Sequence, residues 1–111
     1  MIYFIELWNA KQAWLDLSVE ERGNYMAQVG SHIQGLLEKG VKILTWSMNE
    51  QETTNRSGYD FFAIWTFPNQ EMANGFQELV AAAGWYNYFE QVNAMGEEAT
   101  AEQVIGQLVQ L

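Results

Sequence analysis

The chain has 111 residues, with 14 Asp plus Glu against 5 Lys plus Arg, one His, one Pro and no Cys, which is the length of one domain, residues 1–111. The net charge of −9, with the only cations Lys11, Arg22, Lys39, Lys42 and Arg56 scattered along the chain, weighs against nucleic acid as a partner, because binding a polyanion takes a basic stripe that releases counterions. Without Cys there is no disulfide framework, no thiolate nucleophile and no Cys-based zinc or iron–sulfur site.

Residues 1–8 open the chain as a strand, with Ile2, Phe4, Glu6 and Trp8 on one face and Tyr3, Ile5 and Leu7 on the other. Both faces are apolar, the mark of a sheet covered on two sides. Residues 9–17 read as a connection carrying Trp14 and Leu15. Ser18 and Glu21 form a capping box, so a helix starts there and runs to Lys39 and Gly40. Met26, Val29, Ile33, Leu36 and Leu37 give it one apolar stripe. Gly23, Gly30 and Gly35 weaken it; either a neighbour approaches closely on that side, or the helix is held by packing alone. Residues 41–48 and 59–67 are two further strands joined by a polar loop, and Pro68 ends the second. Asn69 caps a second helix over 70–83, with Met72, Phe76, Leu79, Val80 and Ala83 on its buried side. Residues 85–88 suit a helix tail or a strand entry equally, 89–95 read as a fourth strand, and Thr100 with Gln103 opens a terminal helix to about residue 109.

The order strand, helix, strand, strand, helix, strand predicts an α+β fold. It is the ferredoxin-like βαββαβ arrangement, with a four-stranded antiparallel sheet over residues 1–96 and an appended C-terminal helix. Both helices then cover one sheet face, leaving the other open in a monomer. Hydrophobic residues make up 49% of the chain and aromatics 14%, and a domain of this size buries only about two-thirds of its unfolded surface. The expected outlet is a second copy laid sheet to sheet, a pocket, or both.

In this order of elements the chain resembles the dimeric α+β barrel superfamily, whose members include antibiotic-biosynthesis monooxygenases, EthD-like proteins, muconolactone isomerases and haem-handling relatives. The segment Trp14-Leu15-Asp16-Leu17-Ser18-Val19-Glu20-Glu21-Arg22, followed by Tyr25, also resembles a small uncharacterised family of such proteins. The resemblance implies a homodimer paired through its sheets and, for an enzyme, oxygenation or isomerisation of a small apolar substrate. Haem-handling relatives place a His ligand around the second helix; residues 69–111 contain none, so haem is not expected, and with no other cofactor motif in the chain no cofactor is expected.

His32 is the one side chain whose reference pKa lies near neutrality, and it falls beside the apolar stripe of the first helix. It reads as a general base at a pocket wall or as a packed boundary residue. Glu6, Asp60 and Glu90 interrupt strands, and each is either a buried carboxylate with a raised pKa or a solvated rim residue. Trp8, Trp46 and Trp65 are candidate walls for a planar apolar ligand, or else core and dimer interface. Asn9 and Asn93, near strand ends, are candidate orienting groups or turn residues. No metal site is expected from one His and no Cys, and the glycines form neither GxGxxG nor GxxxxGK[ST]. No apolar run reaches the ~20 residues of a membrane span, and the opening MIYFIELWN has no basic segment, so a cytoplasmic protein without a membrane partner is expected. Two functions follow: a cofactor-free enzyme or binder of a small apolar or aromatic metabolite, and a non-catalytic homodimeric interaction or stress-response module.

Overall fold

The computed structural model describes residues 1–111. Strand β1 (Ile2–Ala10) leads through the short helix α1 (Gln12–Leu15) to α2 (Val19–Leu37); β2 (Lys42–Met48) and β3 (Phe61–Phe67) follow, then α3 (Gln70–Ala82), the single turn α4 (Trp85–Tyr88), β4 (Phe89–Glu97) and α5 (Ala101–Val109). The fold is α+β, with one four-stranded sheet in the order β2-β3-β1-β4. Every neighbouring pair is antiparallel, and β1, in the centre, sets Phe4 beside Trp65 of β3 and Met95 of β4.

The period-2 alternation of β1 sorts its side chains. Ile2, Phe4, Glu6 and Trp8 are buried under the helices, while Tyr3, Ile5 and Leu7 lie half-exposed on the other face. Ala63, Trp65 and Phe67 of β3 complete the covered side, where Phe4, Trp65 and Phe67 pack on Phe76 of α3 with ring centroids 4.7–5.7 Å apart. Edge-to-face and tilted contacts of this kind add to the area the rings bury. Helix α2 contributes only half-buried residues, Met26, Val29, Ile33 and Leu36, and Leu37 of the expected stripe is exposed. Its capping box is formed as expected: Glu21 N–H donates to Ser18 Oγ and Ser18 N–H to the Glu21 carboxylate, both at 3.0 Å. No neighbour comes within 4 Å of the place a Cβ would take at Gly23, Gly30 or Gly35. Close approach therefore does not explain these glycines, and the helix is held by its capping box, the packing of its apolar side and the hydrogen bond that Tyr25 Oη donates to Ala83 O at 2.8 Å.

Element ends differ from the sequence reading for local reasons. Helix α2 stops at Leu37; beyond it Gly40 takes φ +92 and Val41 N–H returns to Leu36 O. Strand β3 starts at Phe61, not residue 59, and Asn9 clamps the backbone just before it, donating to Gly58 O at 2.9 Å and accepting from Asp60 N–H at 2.7 Å. The ambiguous residues 85–88 form α4, entered through Gly84 at φ +76, a left-handed conformation that costs glycine nothing. The connection after β1 contains α1, whose last carbonyls, on Trp14 and Leu15, accept from the Arg22 guanidinium. Strand β4 runs on to Glu97 because β1 pairs with it along its full length.

Only 13 of 111 residues are buried, and the molecule measures 50 × 36 × 19 Å with a radius of gyration of 16.0 Å, against about 13 Å for a compact chain of this length. This is a thin two-layer body. The uncovered sheet face carries Tyr3, Ile5, Leu7, Phe62, Ile64 and Val92, and every residue of α5 is exposed, Val104, Ile105 and Leu108 among them. No helix is long and apolar enough to cross a membrane.

Candidate functional site

A cavity of about 50 Å³ lies between the covered sheet face and helices α2 and α3. Val29, Ile33 and Leu36 of α2 face Phe76, Leu79 and Val80 of α3 across it, and Trp46 and Trp65 of the sheet and Trp85 of α4 complete the apolar wall. Three- and four-residue spacing on both helices brings these residues to the facing sides. Two polar residues border the cavity: Glu6 from β1 and His32 from α2.

Glu6 is 5% exposed and is the one buried ionisable side chain of the protein. Trp65 Nε1–H donates to its Oε1 at 2.6 Å, and Gln91 Nε2–H to its Oε2 at 2.8 Å. Gln91 is itself fixed, accepting from Trp85 Nε1–H and donating to Asn93 Oδ1, each at 2.8 Å. Burial pushes the Glu6 carboxyl above its ordinary 4.5, and the hydrogen bonds from Gln91 and Trp65 offset part of that rise. Three strands and α4 thus hold one carboxylate rigidly beside an apolar space. Each of its oxygens accepts a hydrogen bond, and no buried polar side-chain atom of the protein lacks a partner.

The sequence candidates divide. Trp46 and Trp65 line the cavity, as does His32, which is exposed and therefore sits at the mouth and not on the inner wall. Trp8 is buried one layer away, its ring 5.2 Å from Trp46 and 5.9 Å from Trp85, so it buttresses the walls. Asn93 joins the Glu6 network through Gln91, whereas Asn9 is occupied by the β2–β3 loop. Of the three strand carboxylates, only Glu6 is buried; Asp60 pairs with Arg56 at 3.2 Å on the surface and Glu90 is exposed. Sequence reasoning missed Gln91 and Trp85. The available signal was the alternation of β4, which puts Gln91 and Asn93 on the same face as Phe89, and the register sets Gln91 opposite Trp8 and Asn93 opposite Glu6.

The chain belongs to a family of unknown function (DUF6616), which it matches over residues 1–111. No curated protein matches it.

Proposed function

We propose that this protein holds a small apolar or aromatic molecule by one end in the slot between its sheet and helices α2 and α3, with no need of metal or haem. The observation that carries this reading is the buried Glu6 carboxylate, fixed by Trp65 and Gln91 at the edge of an otherwise apolar cavity. Binding sites join an apolar wall to a few oriented polar groups in this way. The roughly 50 Å³ is about a third of the roughly 150 Å³ that benzene fills, so the cavity takes one end of such a molecule. The rest of the molecule then leaves past His32 and Trp46, where the His32 imidazole is placed to take or give a proton at the outer part of the ligand.

The subunits work as a homodimer in this reading. The strand order β2-β3-β1-β4, read from the other edge as 4-1-3-2, together with both long helices on one side, supports the ferredoxin-like arrangement. The apolar open face supports a twin laid against it. The same face favours a second reading, a non-catalytic interaction module whose purpose is the dimer itself.

Titration of the full chain with 2-naphthol separates the two. Saturable quenching of tryptophan fluorescence, lost when Val80→Trp fills the slot, is the result expected for a binder. Quenching that rises linearly without saturation, or that is the same in the Val80→Trp protein, overturns the pocket and leaves the interaction module.

A further inference from the structure

Glu6 has its hydrogen bonds but not its charge partner. The five cations of the chain are all engaged or placed elsewhere: Lys11 Nζ donates to Tyr86 O, Arg22 caps α1, Arg56 ties the β2–β3 loop to Asp60, and Lys39 and Lys42 are exposed. The one ion pair of the structure is Arg56–Asp60. Glu6 belongs to no cluster of three or more His, Cys, Asp or Glu that a metal ion would join. A carboxylate taken out of water this far is normally balanced by an opposite charge, and removing one partner of a buried pair is costly because the other stays behind. No Lys or Arg reaches Glu6, and His32, the one basic side chain on the cavity border, is exposed and makes no ion pair or hydrogen bond with it; the space beside the carboxylate is the cavity.

Resting on the reading of the slot as a binding site, we propose that its ligand is an organic cation: a primary ammonium on an apolar body, with the ammonium seated against Glu6. Three features of the site fit this chemistry together. The half-open cavity of about 50 Å³ suits an ammonium head, which is close to water in size, with the apolar body reaching outward. Trp46, Trp65 and Trp85 border the cavity, and indole faces attract cations, more so where water is excluded. Both Glu6 oxygens accept from neutral donors, Trp65 and Gln91, which orient the carboxylate without cancelling its charge. The net charge of −9 adds a long-range field that draws cations and repels carboxylates.

The test is a calorimetric titration of the full wild-type chain with n-hexylammonium, n-hexanol and hexanoate, which share one apolar body and differ in charge. The ammonium is expected to bind about tenfold or more tighter than the alcohol, and hexanoate not at all. In the isosteric Glu6→Gln protein, checked for its near-ultraviolet circular dichroism, the preference for ammonium should be lost, the two binding within about threefold of each other. Equal binding of ammonium and alcohol by the wild type overturns the cation while the pocket stands. Binding of none of the three overturns the pocket together with it. The wild-type series decides the matter even if Glu6→Gln does not fold.

Discussion

The two faces of the sheet are built from similar residues and end in opposite situations. On the helix side Phe4, Trp65 and Phe67 are at most 1% exposed; on the other side Tyr3, Ile5, Leu7, Phe62 and Ile64 stand half-exposed one residue further along the same strands. Alternation decides which side chain goes to which face, but it does not supply a cover. The chain has two long helices, and both crossovers lay them on one side. Apolar character is thus a property of the strand sequence, and burial a property of topology. The covered face also carries the exception, Glu6, where three strands and α4 spend their polar groups on holding a carboxylate out of water.

Substitutions sharpen the contrast when matched across the sheet. Phe4→Ala removes a fully enclosed ring and is expected to cost about 3–5 kcal/mol, read as a lower denaturation midpoint in urea. A loss below about 1 kcal/mol would mean that the covered face is not the core. Ile5→Lys, its neighbour on the open face, is expected to act through association. The wild-type midpoint should rise with protein concentration, because a partner that binds only the folded state stabilises it by mass action, and the variant's midpoint should not. Concentration dependence that survives Ile5→Lys would place the interface elsewhere.

The smallest effect is one of pH. The Glu6 carboxyl titrates above its ordinary 4.5 in the folded protein because burial disfavours the charge, so the folded state keeps a proton that the unfolded chain has released. The stability this contributes is complete below about 4.5 and is lost as pH rises through the folded-state value. Wild-type stability minus that of Glu6→Gln should therefore fall from pH 4 to pH 8. A flat difference would show Glu6 to be solvated. Glu21 has the opposite sign: its capping-box hydrogen bonds with Ser18 lower its pKa, so its contribution is present above the ordinary value and lost in acid.

Much of the fold could be read from local chemistry. The capping boxes at Ser18 and Thr100, the side-chain cap at Asn69 and the apolar alternation of β1 and β3 are short-range signals, and each element they mark is present. The register was not legible, and the site depends on it. Glu6, Trp65 and Gln91 lie 59 and 85 residues apart in sequence along their two hydrogen bonds, and no local pattern states that they meet. His32 was legible as a residue beside the stripe of α2, but that it borders a cavity shared with Glu6 depends on tertiary packing that no local pattern states. Asn9, near a strand end, reads from sequence as either an orienting group or a turn residue; its side chain bonds the backbone of the β2–β3 loop at Gly58 and Asp60, which fits the turn reading.

One face of this sheet is closed by its own helices, and the proposed homodimer closes the other with a second copy. Sedimentation velocity at micromolar concentration measures it directly. The account predicts a particle of twice 12.7 kDa that Ile5→Lys reduces to a single 12.7 kDa chain with its circular dichroism unchanged. A wild-type protein that sediments as one 12.7 kDa chain, with the open face bare in water, would contradict it.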